Sequence, residues 1–222
     1  MRLIVGSDFH GNRMMVERFA VRAEEEHAEV ILLCGDLTNF GSLEDATELL
    51  SIFAELKLPV LFVPGNCDPP SLLGVDLEGV RSLHGKIVSC GDMSFLGVGG
   101  SPPTPFHTPL EIDEEDIMAE LNRAAGKIIN DRKFILLSHA PPRDTHLDKT
   151  RFGLHVGSVS VRKFIEEKRP LIVFCGHIHE AKGKDKIGDT ILVNPGPASH
   201  GDYVSASLDK ENVLVEFRSL NE

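Results

Sequence analysis

The stretch Pro170-Leu171-Ile172-Val173-Phe174-Cys175-Gly176-His177-Ile178-His179 joins an apolar run to two histidines that are separated by one residue. The six residues before the glycine predict a buried strand. Alternate side chains of an extended segment point to the same side, so we expect His177 and His179 to reach into one space. Gly176 allows the backbone to bend before them at low steric cost. This pair alone does not decide between a metal site and a structural role.

Four other apolar runs also end in residues that can bind a metal ion. These residues are Asp8 and His10 after the run at 3–5, Asp36 after 30–34, Asn66 after 59–63, and His139 after 134–137. In open α/β sheets, ligands bind beyond the carboxyl ends of the strands. With the histidine pair, the seven side chains exceed the three or four protein ligands of one ion that keeps an open position. They therefore predict two ions about 3.5–4 Å apart that share a carboxylate.

The order of the predicted elements indicates parallel strands joined by helical crossovers. Helices are predicted to follow Asn12 and Ser42 as N-caps, to cover residues 113–125, and to follow Ser158 as a third N-cap. A hairpin is predicted at 87–98, and the chain closes with strands at 203–208 and 213–217, joined by a turn at 209–212. Roughly ten strands and four helices, with no linker or repeat, predict one domain over residues 1–222, built from two packed sheets with outer helices.

The composition excludes several classes of protein. The formal net charge of −11 favours solubility and disfavours tight binding to a nucleic-acid backbone. The four cysteines form no CxxC pair, so neither a zinc ribbon nor a redox motif is indicated. No apolar run has the length of a membrane span, and the first apolar run is too short for a signal peptide. We expect a soluble, cytoplasmic protein.

The motifs also resemble those of a known family. In order, Asp8-x-His10, Gly35-Asp36, Gly65-Asn66-x-Asp68, His139 and Gly176-His177-x-His179 are similar to the five motifs of the calcineurin-like metallophosphoesterase superfamily. More narrowly, the chain resembles the small, single-domain prokaryotic phosphodiesterase branch. The resemblance implies an α/β fold, a four-layer α/β/β/α sandwich with two mixed β-sheets flanked by helices. It also implies a phosphodiesterase whose nucleophile is a hydroxide that bridges two metal ions.

The resemblance further implies a role for each ligand candidate. Asp8, His10 and His179 would hold the first ion, Asn66, His139 and His177 would hold the second, and Asp36 would bridge both. Mixed imidazole and oxygen ligands suit Mn, Fe, Zn or Ni rather than Mg or Ca. We expect two divalent metal ions, with Mn as the first choice.

One position departs from the family pattern. In many members a histidine follows the asparagine of the third motif and protonates the leaving oxygen, whereas this chain has Cys67. A thiol has a reference pKa near 8.5, so reactions with good leaving groups should tolerate it better than alkyl phosphate monoesters. We expect Asp68 to accept a hydrogen bond from an imidazole, or alternatively to satisfy N–H groups of its own turn. The predicted catalytic set is Asn66, Cys67, Asp68 and His139.

Two irregular segments are predicted to contact the substrate. They are the proline-rich loop at 99–109, which carries His107, and the polar segment at 143–157, which carries Arg143 and Arg151. Solvated surface residues are the alternative interpretation of all three side chains. The expected substrate is a small phosphoester, such as a cyclic or linear nucleotide, and the sequence does not predict the oligomeric state.

Three rival functions stay open at this point. A phosphomonoesterase or pyrophosphatase would use the same site on another substrate. A protein-binding scaffold of the same fold would have a degraded metal site, but every ligand position is filled here. A DNA nuclease is disfavoured because the chain is acidic.

Overall fold

The computed structural model describes residues 1–128, 133–209 and 212–222. Four α-helices lie in these ranges: α1 (Arg13–Glu25), α2 (Leu43–Ala54), α3 (Glu114–Ala125) and α4 (Val159–Lys168). The described strands are β1 (Arg2–Gly6), β2 (Val30–Leu33), β3 (Val60–Phe62), β4 (Asp76–Leu77), β5 (Val80–Ser82), β6 (Ile87–Cys90), β7 (Met93–Val98), β8 (Phe134–Ser138), β9 (Ile172–Phe174), β10 (Gly183–Ile187), β11 (Thr190–Asn194), β12 (Asp202–Leu208) and β13 (Val213–Ser219).

The strands form two mixed sheets. The first has the order β13-β12-β1-β2-β3-β5-β4, and the second has the order β10-β11-β9-β8-β7-β6. Strands β1, β2, β3 and β5 run parallel, as do β7, β8, β9 and β11. The remaining pairs are antiparallel and lie at the sheet edges or between β1 and β12. The parallel strands therefore occupy the middle of each sheet and align their carboxyl ends.

Three apolar layers hold the four structural layers together. Alternate residues of one strand belong to different layers, because successive side chains of a strand point to opposite faces. On β2, Ile31 and Leu33 pack under α1 and α2, whereas Leu32 packs between the sheets. On β8, Ile135 packs between the sheets and Leu136 packs under α3 and α4. The predicted α/β/β/α sandwich is confirmed.

The predicted helix starts are confirmed by side-chain caps. Asn12 accepts a hydrogen bond from the backbone N–H of Met15, and Ser158 accepts one from Val161. Ser42 and Asp45 form a capping box at the start of α2. None of the helices in the described ranges is long and apolar enough to cross a membrane.

Some element boundaries differ from the prediction. The structure adds β4 and β5, which the estimate of ten strands did not include. The strand predicted at 170–175 is shorter, since β9 ends at Phe174. In the turn predicted at 209–212, residues 210 and 211 lie outside the described residues.

Candidate metal centre

The seven predicted ligands all follow the carboxyl ends of central strands. Asp8, Asp36 and Asn66 come after β1, β2 and β3, which are neighbours in the first sheet. His139 and the histidine pair come after β8 and β9, which are neighbours in the second sheet. The two sheets pack face to face through a shared apolar layer, so these strand ends meet along one rim of the sandwich.

The backbone at these positions is not extended. Four of the ligand candidates have left-handed backbone conformations, with φ of 58° at Asp8, 48° at His10, 51° at Asp36 and 69° at His177. Such values are uncommon for residues other than glycine and carry a cost in conformational energy. Backbone hydrogen bonds hold these turns in place, including Asp8 N to Gly35 O at 2.9 Å and His10 N to Asp36 O at 2.9 Å.

These conformations correct the reason given for one expectation. His177 and His179 both lie at the centre, but strand alternation does not direct them there, because the left-handed turn at His177 breaks the extended path. The two rings instead join different neighbours. The His177 ring lies 5.0 Å from the His139 ring, and the His179 ring lies 5.0 Å from the His10 ring, measured between centroids. The turns of the loops, rather than the pleat of the strand, place these side chains.

Asp8, His10 and His179 form the first group of donor atoms. Nε2 of His179 lies 3.4 Å from Oδ1 of Asp8 and 3.1 Å from Nε2 of His10. The donor atoms of the three residues all lie within 4.8 Å of one another. Nδ1 of His10 is buried and makes no hydrogen bond to any described residue.

Asn66 and His139 form the second group, and Asp36 adjoins it. Nε2 of His139 lies 2.8 Å from Oδ1 of Asn66 and 3.6 Å from Oδ1 of Asp36. The other carboxylate oxygen of Asp36 lies 3.8 Å from Nε2 of His10. Asp36 therefore lies between the two groups and faces both with its two oxygens.

Three glycines make room for these side chains. A Cβ atom at Gly65 would lie 2.0 Å from Oδ1 of Asp36, and one at Gly35 would lie 2.5 Å from Nδ1 of His139. At Gly176 a Cβ atom would lie 1.8 Å from Oγ of Ser7 and 2.6 Å from Oδ2 of Asp8. The φ of Gly176 is not left-handed, so this residue is required for space rather than for the backbone bend that was expected.

Burial dominates the electrostatics of the centre. It raises the pKa of Asp36, an effect that the nearby His139 opposes. Burial also acts to raise the pKa of Asp8, but the hydrogen bond with His179 and the charges of two histidines outweigh it, so the pKa falls below its usual value. Burial lowers the pKa of His177 to about 3, with His139 acting in the same direction. The hydrogen bond with Asp8, in contrast, raises the pKa of His179. The centre thus holds imidazoles next to buried carboxyl groups, a donor set that suits a cation.

Asp68 does not contact an imidazole. Its carboxylate accepts hydrogen bonds from the backbone N–H groups of Gly65, Leu37 and Thr38 and from the Thr38 hydroxyl, at 2.8 to 3.2 Å. In the described part of the chain, none of its hydrogen bonds comes from a histidine. The alternative interpretation holds, in which Asp68 satisfies N–H groups and joins the second and third motif loops.

Cys67 lies inside the centre. Its backbone N–H donates to Oδ1 of Asp36 at 2.8 Å, and its Sγ accepts a hydrogen bond from the Asn66 amide at 3.5 Å. The thiol also lies within 4.8 Å of donor atoms of His10 and Asp36. Burial, together with the charge of Asp36, raises the pKa of this thiol. Cys67 is therefore a protonated thiol and a weak donor.

The three predicted substrate contacts lie outside this cluster. The side chains of His107, Arg143 and Arg151 are exposed. No contact in the described part of the chain joins them to the seven ligand candidates. The backbone N–H of Arg151 donates to Oε1 of Glu180 at 3.0 Å, which places its segment beside the residue that follows His179.

Two buried hydroxyl residues were missed in the sequence. Oγ of Ser7 donates to the carbonyl of Cys34 at 3.1 Å, and that carbonyl also accepts from Nδ1 of His139 at 2.7 Å. Thr38 binds Asp68 through both its backbone and its hydroxyl. Their only signal in the sequence is their position, since Ser7 directly precedes Asp8 and Thr38 lies two residues after Asp36.

The fold and the donor set define an α/β sandwich with a candidate metal centre at the strand ends. A family model of the calcineurin-like phosphoesterase superfamily domain matches residues 1–205. The chain therefore belongs to this superfamily, and membership implies hydrolysis of phosphate esters.

Three known proteins illustrate the similarity. The chain is 38% identical over 221 residues to the uncharacterized protein MJ1162 of Methanocaldococcus jannaschii, covering 97% of this chain and 95% of that protein. It is 28% identical over 137 residues to the 3′,5′-cyclic adenosine monophosphate phosphodiesterase CpdA of Pseudomonas aeruginosa, covering 62% of this chain but only 47% of that enzyme. A dimetal phosphatase from Danio rerio has a similar structure, with a TM-score of 0.71 and 13% identity, covering 99% of this chain and 96% of that one.

Proposed function

We propose that the protein is a phosphodiesterase that depends on two divalent metal ions and acts on small phosphodiesters. The observation that carries this proposal is the position of Asp36 between two groups of donor atoms. Its two oxygens lie 3.8 Å from Nε2 of His10 and 3.6 Å from Nε2 of His139. A carboxylate shared by two ions is the usual feature of two-metal hydrolytic sites.

The donor set fits metal ions on the evidence of its own contacts. Nδ1 of His139 lies 2.7 Å from the carbonyl of Cys34, so it must donate its proton there. In a neutral imidazole, Nε2 then offers a lone pair towards Asn66 Oδ1, which is also an acceptor. Histidines that bind metals commonly donate their second ring N–H to a backbone carbonyl in this way. A cation would satisfy two acceptors that now face each other.

Asp8, His10 and His179 would hold one ion, Asn66, His139 and His177 the other, and Asp36 both. Ions bound there would supply positive charge for the phosphoryl oxygens and would lower the pKa of a bound water. The chain itself orients the side chains that would bind the ions. The Cys34 carbonyl fixes the His139 ring, and the backbone N–H of His177 holds both oxygens of Asp8 at 3.2 Å.

The nature of residue 67 favours phosphodiesters with good leaving groups. The buried thiol of Cys67 has a raised pKa and is a poorer proton donor than an imidazole. An alkyl monoester needs a proton on its leaving oxygen more than an aryl or ring-strained diester does. The names of two relatives, the cyclic AMP phosphodiesterase of Pseudomonas aeruginosa and a probable cyclic nucleotide phosphodiesterase of Rhodopseudomonas palustris, support a nucleotide substrate. Manganese and a cytoplasmic location remain predictions from the sequence.

The decisive experiment compares two aryl esters. Protein stripped with EDTA and reloaded with Mn²⁺ is given bis(p-nitrophenyl) phosphate and p-nitrophenyl phosphate, with Asp36→Asn as the test variant. We expect the diester to be preferred, and we expect the variant to lose turnover by about 100-fold or more, since removal of metal-supporting groups costs at least this order. Asp189→Asn, at an exposed turn, is the matched control and should behave as the wild type.

The other outcomes identify the rivals. A preference for the monoester would favour the phosphomonoesterase or pyrophosphatase. Absence of turnover with both esters, together with absence of bound metal by elemental analysis, would refute the catalytic proposal and favour the protein-binding scaffold.

A further inference from the structure

Most phenylalanines of the chain lie in or against the core, and three are exposed. The chain has twelve phenylalanines, and those in the core include Phe9, Phe62 and Phe174. Three are exposed: Phe106 by 82%, Phe152 by 77% and Phe40 by 59%. Single exposed apolar side chains need no explanation. These three, however, all lie on loops that contact the segments of the candidate metal centre.

Phe40 lies on the loop after the second motif. Its backbone N–H donates to the carbonyl of Cys67 at 3.0 Å, so its segment lies against the residue that follows Asn66. Its φ is 60°, a value that is an outlier for a bulky residue. An exposed aromatic ring at a strained position indicates a role that packing does not supply.

Phe106 lies at the tip of the proline-rich loop, which is well ordered by hydrogen bonds. Oε1 of Glu111 accepts the backbone N–H and hydroxyl of both Thr104 and Thr108, at 2.7 to 3.1 Å. The loop then returns to the centre, where the backbone N–H of Leu110 donates to the carbonyl of Asn66 at 3.0 Å. The ring of Phe106 is thus held out into solvent by a preformed loop beside a ligand candidate.

Phe152 lies at the tip of the segment at 143–157. The neighbouring Arg151 donates its backbone N–H to Glu180, the residue after His179. The guanidinium of Arg151 lies over the ring of Phe152, 5.0 Å from its centroid. This third exposed ring therefore also lies on a segment beside a ligand candidate, on the side of the second sheet.

We propose that Phe40, Phe106 and Phe152 form an aromatic rim that stacks on a nucleobase attached to the phosphate held at the metal centre. The inference rests on the proposed function, which places a phosphate at the metal centre, and it adds the residues that would bind the base. Stacking on aromatic side chains is tolerant of base identity because every base has a π-face. Aromatic stacking also suits this acidic chain, because binding a base in this way requires no further positively charged side chains beside the phosphate.

The test measures binding of two phosphates that differ only in the base. Full-length protein loaded with Mn²⁺ is titrated with AMP and with ribose 5-phosphate by isothermal calorimetry. We expect AMP to bind about tenfold more tightly, in the range for stacking of one base on an aromatic side chain. In Phe152→Trp, which introduces a single tryptophan into a chain that has none, AMP but not ribose 5-phosphate should quench the fluorescence.

Variants separate aromatic stacking from general apolar contact. Phe40→Leu, Phe106→Leu and Phe152→Leu should each reduce the preference for AMP, whereas the Phe→Tyr variants should keep it. Leu214→Ala, on β13 and 59% exposed, is the matched control and should leave the preference unchanged. Three results would overturn the proposal of an aromatic rim: equal binding of AMP and ribose 5-phosphate, no binding of either, or an unchanged preference for AMP in all three leucine variants.

The binding experiment and the diester assay distinguish an error in the proposed rim from an error in the proposed function. If the diester assay succeeds and the two phosphates bind equally, the phosphodiesterase stands and the aromatic rim is wrong. If AMP is preferred and aryl diesters are not hydrolysed, the rim binds nucleotides and the phosphodiesterase is wrong.

Discussion

Nε2 of His139 lies 2.8 Å from the side-chain oxygen of Asn66, although Nδ1 of the same ring donates its N–H to the Cys34 carbonyl. Two acceptors at this distance repel each other unless a proton or a cation lies nearby. Both residues are fully or almost fully buried, so a proton or a cation between these two atoms matters for stability. Together with the buried Nδ1 of His10, which makes no hydrogen bond to any described residue, the pair favours a site that receives a cation.

Asn66→Ala tests whether this pair holds its own ion. The change removes one donor of the second group and leaves Asp8, His10 and His179 intact. We expect the bound metal to fall from about two to about one equivalent per chain, as in a site with two separate ion positions. Elemental analysis after dialysis measures this. His146→Ala, with a side chain 85% exposed, is the control, and loss of both ions in Asn66→Ala would contradict two separable positions.

Gly176→Ala tests the space between the first and last motifs. The added Cβ would lie 1.8 Å from Ser7 Oγ and 2.6 Å from Asp8 Oδ2. We expect the free energy of unfolding to fall by about 1–3 kcal/mol, as for other overpacked sites, and metal affinity to fall because Asp8 is displaced. Urea denaturation measures the first effect.

Gly74→Ala is the matched control for this change. A Cβ at Gly74 meets nothing within 4 Å, and its φ is not left-handed. We expect no loss of stability there, since the substitution reduces the conformational entropy of the unfolded chain. Equal losses at both glycines would show that the close approach at Gly176 is not the cause.

The sequence was sufficient to predict the layers of the fold. Runs such as residues 30–33 and 134–137 are apolar throughout because both faces of these strands are buried, and this pattern is strong. Strands β4 and β5 were missed because they are two and three residues long and contain polar residues. Strands β3 and β9 are also three residues long, but they lie in longer apolar runs, which made them predictable.

The site was predictable as a set of residues but not as a geometry. The order of the motifs indicates which side chains meet, whereas the left-handed turns at Asp8 and His177 depend on hydrogen bonds between distant loops. Asp68 shows the same limit, because its partners Leu37 and Thr38 lie on another motif loop. Contacts between loops leave no local pattern in the sequence.

Cys67→His tests the role of the thiol. A histidine at this position would place an imidazole beside the donor atoms of His10 and Asp36, where Sγ now lies. General acid catalysis typically contributes about 10²–10⁴-fold, so we expect the ratio of alkyl monoester to aryl diester turnover to rise by about tenfold or more. Cys67→Ser should not raise this ratio. If Cys67→His keeps its metal and the ratio stays unchanged, leaving-group protonation is not what residue 67 controls.

Glu111 gives a pH dependence that is independent of the metal centre. The hydroxyl of Thr104 and the other hydrogen bonds of the loop lower the pKa of Glu111 from 4.5 to about 2. The unfolded chain therefore takes up a proton at this residue before the folded chain does. The resulting stabilisation is complete above pH 4.5 and is lost as the pH falls from 4.5 towards 2.

The measurement is the free energy of unfolding of the wild type and of Glu111→Gln, from urea titrations at pH 6, 4.5 and 3. We expect the wild type to be the more stable at pH 6 and its advantage to shrink at pH 3, because only the wild type loses a carboxylate that accepts these hydrogen bonds. Glu115→Gln, at an exposed position of α3, should show no such trend. An advantage that is constant from pH 6 to pH 3 would mean that Glu111 does not order the loop through its charge, and the preformed support of Phe106 would then need another source.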